Sequence, residues 1–267
     1  MQLAPWDHAR HCDALAAEVS RHVDTITGAD LTRAVPTCPG WDIAELVRHV
    51  GSVHRWAARM VRDRATERLA LADVGLDLPA DATGLGAWLG AGGEAIVTTL
   101  RRADPDAPMW AWGADQHTRF WSRRMLHETT VHLADAELAL DRDVEIDEDT
   151  ASDGIDELLD NLPHARYFAP KVAELRGSNE SLRFEATDAG ARWDVHLRSD
   201  GFTWTRDDDG RRVDGRLVGG RASAEVRAPV GDLLLLLYRR LRPADPRFVR
   251  VGDEAVLSRW LENSALL

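Results

Sequence analysis

The feature that most limits how this chain can fold is a change of hydrophobic period near Gly177. Before that point apolar residues recur at helical spacing; beyond it they alternate. Asp7 precedes a run in which Cys12, Leu15, Ala16, Val19 and Val23 share one face, closing before Gly28. Asp42 followed three residues later by Glu45 is a capping-box signature. It opens a second run with Leu46, His49, Val50, Val53 and Trp56 or Ala57 on one stripe. Two further helices are predicted over 85–101 and 116–140, the latter with Trp121, Met125, Glu128, His132 and Ala136 on a common face. The stretch from Arg64 to Gly84 is less periodic and reads as a crossing loop with a short helical piece. Four helices of this length with short or moderate connections predict an antiparallel four-helix bundle.

After Gly177 the pattern is that of strands. Leu182, Phe184 and Ala186 alternate with Arg183, Glu185 and Thr187, and Trp193, Val195 and Leu197 alternate with Asp194, His196 and Arg198. A strand over 202–206 follows a turn at Asp200 and Gly201, the segment DDDGRR reads as the next hairpin connection, and 223–227 adds another strand. A buried helix over 229–241, a short strand near Val249 and a terminal helix over 253–261 complete an α+β module. Ten acidic residues and a single Arg142 lie between Asp141 and Asp160. That run is expected to be a solvated linker or a polar helix face, with a helix near 151–162 in its second half. The expected organisation is two domains: an all-α bundle over 1–150 and a smaller α+β domain over 151–267.

Composition narrows the function classes. With 33 Lys and Arg against 45 Asp and Glu, the formal charge is -12, and no basic face is apparent for a nucleic-acid backbone. Arg239, Arg240 and Arg242 end an apolar run, where cations complement a helix C-terminus. The longest aliphatic stretch, Leu233 to Leu237, is far short of the ~20 residues that span a bilayer. The first residues lack the basic and apolar regions of a signal peptide. Cys12 and Cys38 make no disulfide framework and are expected as free thiols. The expectation is a cytoplasmic protein without nucleic-acid or membrane partners, either monomer or homodimer.

The chemistry-bearing pattern is E-x-x-x-H on the fourth helix. Glu128 and His132 lie one turn apart on one side, and His49 adds an imidazole from an inward stripe of another helix. Carboxylate and imidazole suit zinc and neighbouring divalent metals, and three protein donors leave a position open, as catalytic sites do. A surface E-x-x-x-H pair with an ordinary core histidine is the alternative, but burying Glu128 without a cation would be costly. His127 is expected beside the pocket or in solvent. His54 matches the His49 face imperfectly, and Thr129 either orients a neighbour or bonds to its own helix. Trp110, Trp112 and Trp121 read as core or as cavity wall. Gly90, Gly92 and Gly93 make no phosphate-binding motif.

The segments CPGWDIAELVRHV and MLHETTVHLADAE resemble the metal-binding N-terminal domain of the mycothiol-dependent maleylpyruvate isomerase family, within the DinB-like four-helix proteins. VRAPVGDLLLLLYRRL and VRVGDEAVLSRWL resemble that family's C-terminal domain, which is similar to sterol-carrier folds. The resemblance covers nearly the whole chain. It implies metal ligation by His49, Glu128 and His132, a zinc-like divalent ion, and mycothiol, the small-molecule thiol of actinobacteria, as cofactor. It further implies thiol addition to a small electrophilic substrate, as cis–trans isomerisation of a maleylpyruvate-like compound or as S-transfer. An arginine of the C-terminal domain is implied for carboxylate binding, with Arg192, Arg206 and Arg221 as candidates. Cys38, in the CPGW turn, is expected to be a packed turn residue. The alternative is a non-catalytic metal-binding regulatory or small-molecule-binding protein on the same bundle.

Overall fold

The computed structural model describes residues 6–208, 212–213, 216–217 and 221–264. The chain divides into two compact units between Glu145 and Ile146. The first is helical: α1 (His8–Ile26), α2 (Ile43–Asp63), α3 (Leu85–Arg102) and α4 (Thr118–Ala139). The Asp7 side chain accepts from Arg10 N, and Asp42 and Glu45 close the reciprocal box at the start of α2. The loop between α2 and α3 carries two short 3-10 turns, at Leu71–Asp73 and Ala82–Gly84. Each of α1 and α2 packs on both α3 and α4.

Two apolar clusters fill this unit. One joins Cys12, Leu15 and Val19 to Ala57, Met60, Ile96, Leu100, Trp121 and Met125. The other joins Ile26 to Leu46, Val47, Val50, Leu85, Leu89, Ala136 and Ala139. Along α1, α2 and α4 the residues between the clusters include buried polar side chains: His22, Ser52, His54, Thr129, Thr130 and Asp135. A polar layer thus interrupts the helical core. Gly93 of α3 serves close packing, since a Cβ there would lie 2.2 Å from Val19 Cγ1.

In the second unit, α5 (Glu148–Asn161) precedes 3-10 turns at Leu162–Tyr167 and Pro170–Glu174. Then come β1 (Ser181–Ala186), β2 (Arg192–Arg198), β3 (Gly201–Asp207), β4 (Arg212–Val213), β5 (Arg216–Leu217), β6 (Ala224–Ala228), α6 (Val230–Leu237), β7 (Val249–Gly252) and α7 (Glu254–Asn263). Five strands form one sheet in the order β3-β2-β1-β6-β7, with β1 and β6 parallel and the other pairs antiparallel. Phe184, Trp193, Val195, Val226, Leu236 and Trp260 are buried in this unit. The unit is α+β, as the alternating pattern requires. The connection expected at DDDGRR lies largely outside the described residues.

Two details differ from expectation. The helix expected near 151–162 in the acidic run is α5, but it starts earlier, at Glu148, and buries Ala151, Ile155, Leu158 and Leu159. Asp147 caps it through Thr150 N, and acidic residues in the first turn complement the helix N-terminus. The helix expected over 229–241 stops at Leu237, since Arg239 adopts a left-handed φ of 62° and the amide of Arg240 turns back to Leu235 O. On the sheet, Arg183 and Arg192 are buried and paired with carboxylates. No helix among the described residues is long and apolar enough to cross a membrane.

Candidate metal centre

The capping box starts α2 so that His49 falls on its second turn, and the register of α4 puts Glu128 and His132 on one side. The two helices bring the three residues together. His49 Nε2 lies 3.1 Å from Glu128 Oε1, and His132 Nε2 lies 3.4 Å from the same oxygen. One donor atom from each residue falls within 4.8 Å of the others. The side chains are 35%, 21% and 12% exposed for His49, Glu128 and His132, so the group opens to solvent on the His49 side.

The electrostatics follow from this convergence. Burial pushes the Glu128 carboxyl up, but hydrogen bonds from His132 and His49 and the charge of Arg124 outweigh it and hold it well below the usual range. Buried Arg124, one turn earlier on α4, places Nη2 3.4 Å from Glu128 Oε2. Burial opposes protonation of His132, yet hydrogen bonds with Asp135, Cys38 and Glu128 raise its pKa well above the ordinary imidazole value. A site with two imidazole nitrogens and one carboxylate oxygen directed at one locus is electron-rich. Its donor set fits a divalent transition metal such as zinc.

The second circle of residues comes from the turn before α2. Val35 N bonds Trp41 O, Trp41 N bonds Cys38 O, and Gly40 takes a φ of 88° that favours glycine. The closed turn sets Trp41 against both imidazoles, with ring centroids 5.0 Å from His49 and 6.4 Å from His132. It also directs Thr37 and Cys38 at Asp135, whose carboxylate is completely buried.

The remaining residues of the layer are arranged differently. His54 Nε2 lies 2.8 Å from Thr129 Oγ1, while the Thr129 hydroxyl donates to Met125 O, so the threonine oxygen accepts from the imidazole. Burial takes the His54 pKa down to about 4, against the pull of the Glu128 charge. His127 is fully buried, which excludes the solvent position, because its face of α4 also packs inside the unit. Trp56, Trp110 and Trp121 make edge-to-face and tilted contacts with one another within the apolar cluster.

Comparison with known proteins is decisive at this point. Residues 12–137 match the mycothiol maleylpyruvate isomerase N-terminal domain, and residues 149–259 match the MDMPI C-terminal domain. The chain belongs to the mycothiol maleylpyruvate isomerase family. A crystal structure of the mycothiol-dependent maleylpyruvate isomerase is similar at a TM-score of 0.59 and 10% identity, over 93% of this chain and 95% of that one. A mutant of that isomerase gives 0.61 and 11% over the same shares. At such identities the likeness is one of fold. No curated protein matches the chain in sequence.

Two of the three arginines expected to bind the cofactor are engaged inside the second unit. Arg192 Nη2 lies 2.9 Å from Asp207 Oδ2 and its Nε 3.1 Å from Asp194 Oδ2. Arg206 Nη1 lies 2.7 Å from Asp156 Oδ2 and its Nε pairs with Asp208. Arg221 is exposed. Sequence reasoning missed Trp41, Arg124 and Asp135. Their signals were present as spacing: Arg124 four residues before Glu128 and Asp135 three after His132 continue one helical face.

Proposed function

We propose that this protein is a mycothiol-dependent metalloenzyme, with His49, Glu128 and His132 as ligands of a divalent ion, zinc by preference. The first unit is read as a DinB-like four-helix bundle over 1–150, and the second, over 151–267, as a sterol-carrier-like α+β domain. The carrying observation is the approach of His49 Nε2 and His132 Nε2, at 3.1 and 3.4 Å, to one oxygen of Glu128. Two imidazoles and a carboxylate directed at one locus make a donor set that a divalent cation satisfies once it displaces the imidazole protons.

When bound, a divalent ion supplies Lewis acidity and lowers the pKa of a thiol placed beside it. The chain's own residues prepare that environment. His49 and His132 present Nε2, Glu128 provides the anionic oxygen, and Arg124 steadies the other carboxylate oxygen from inside. Trp41 covers the imidazoles and limits water around them. The thiol of Cys38 donates to Asp135, so the nucleophilic sulfur is assigned to the small-molecule thiol. The net reaction is a cis-to-trans change about a carbon–carbon double bond of a maleylpyruvate-like acid, in which sulfur adds and departs without net change of atoms. Arg221, exposed on the second unit, is the preferred candidate among the three arginines for an acidic group of substrate or thiol. A cytoplasmic location suits dependence on a reduced thiol.

The test compares wild type with His49→Ala for zinc content and mycothiol-dependent isomerisation of maleylpyruvate. Loss of both in the variant is expected. Undiminished zinc affinity in the variant overturns the ligand assignment, and accumulation of a thiol conjugate in place of the trans product overturns isomerisation in favour of S-transfer.

A further inference from the structure

The CPGW turn and the E-x-x-x-H helix stand 90 residues apart in the chain, as Cys38 and Glu128 mark. The buried carboxylate of Asp135 joins them. Asp135 Oδ2 lies 2.8 Å from His132 Nδ1 and accepts from Cys38 Sγ at 3.4 Å, while Oδ1 accepts from Thr37 Oγ1 at 2.5 Å. The carboxylate is 0% exposed. An anion so placed is costly unless hydrogen-bonded on all sides, and here two donors from the turn fix it before the imidazole is considered.

We propose that Asp135 is a positioning residue for His132: it holds the proton on Nδ1, directs Nε2 toward Glu128 as the nitrogen that gives up its proton to a metal, and is itself held by Thr37 and Cys38. This inference rests on the metal-centre reading above. An imidazole binds a metal through an unprotonated nitrogen, and the partner of the other nitrogen decides which one that is. His132 offers its two nitrogens to two carboxylates, Glu128 at 3.4 Å and Asp135 at 2.8 Å. The closer and more deeply buried one takes the proton. The functional motif on α4 is therefore E-x-x-x-H-x-x-D, and T-C of the preceding turn is its support. Cys38 acts here as a hydrogen-bond donor, which explains a thiol in this turn without giving it chemistry.

Zinc-free full-length protein is titrated with Zn²⁺ against a chromophoric chelator for wild type, Asp135→Leu, Asp135→Asn, Thr37→Val and His49→Ala. The zinc dissociation constant is expected to rise about 10–100-fold in Asp135→Leu, the range for a lost outer partner of a ligating histidine. Asp135→Asn, which keeps an acceptor for Nδ1–H, should recover part of that loss, and Thr37→Val should lose a few-fold. Long-range proton–nitrogen spectra of the zinc form should find the His132 proton on Nδ1 in wild type. A merely structural role for Asp135 would lower the thermal stability of the metal-free protein and leave the affinity of the folded fraction alone. Wild-type affinity in Asp135→Leu with zinc lost in His49→Ala overturns this inference and leaves the centre standing. Wild-type affinity in His49→Ala overturns both. Should Asp135→Leu fail to fold, the spectrum decides: a His132 proton on Nε2 in the wild type contradicts the proposal.

Discussion

The two units bury charge in opposite ways. In the α+β unit the buried cations Arg183 and Arg192 already have anions: Arg183 Nε lies 2.7 Å from Asp194 Oδ1, and Arg192 is matched by Asp194 and Asp207, as half-buried Arg206 is by Asp156. In the helical unit the polar layer gathers acceptors, with two imidazoles turned onto one carboxylate oxygen and a third imidazole, His22, buried on α1. Pairs of the first kind are complete as they stand and serve the fold. A set of the second kind is completed by protons or by a metal, which is why we place the chemistry there.

The comparison can be broken from the sheet side. Asp194→Ala removes the close partner of buried Arg183 and one of the two carboxylates on Arg192, and breaking a buried pair costs about 3–5 kcal/mol. Urea unfolding should report that loss, while the zinc affinity of the folded protein stays unchanged. Zinc affinity that falls with the sheet's stability would mean that the two kinds of buried charge are not independent.

A smaller effect sharpens the helical side. Burial, with the neighbouring His132 and His54, takes the His22 pKa from 6.5 to about 3, and its ring nitrogens have no hydrogen-bond partner among the described residues. The folded pKa is depressed, so the unfolded chain binds more protons between these values. Stability is therefore present above pH 6.5 and lost as pH falls toward about 3. Between pH 7 and pH 5 this one group should cost the metal-free protein about 2 kcal/mol. His22→Leu should flatten the pH dependence by that amount, as measured by urea midpoints; an unaltered slope would mean that His22 is protonated in the folded state.

Much of this was legible in the sequence, for physical reasons. Helix caps are local, so Asp7 and the Asp42–Glu45 pair marked their helices correctly, and the change of period at Gly177 separated helices from sheet. The His49, Glu128 and His132 grouping could be anticipated because each residue sits on a helical stripe. What stayed hidden depends on distant partners. Alternation set Arg183 opposite the core-facing residues of its strand, and it cannot reveal that Asp194 closes over that guanidinium. Asp135 read as one more helix residue, since its meaning comes from Thr37 and Cys38, nearly a hundred positions earlier. The end of α6 was misplaced because a left-handed Arg239 is set by backbone bonds to Leu235 and Leu236 that no residue type announces.

His132 belongs to two groups of possible metal donors, one with His49 and Glu128 and the other with Cys38 and Asp135. X-ray absorption at the zinc edge of the loaded protein separates them. We expect imidazole nitrogen and oxygen around the metal, with no sulfur in the absence of added thiol. A zinc–sulfur distance near 2.3 Å in the protein alone, abolished by Cys38→Ala and retained in His49→Ala, would contradict the assignment of the centre to His49, Glu128 and His132.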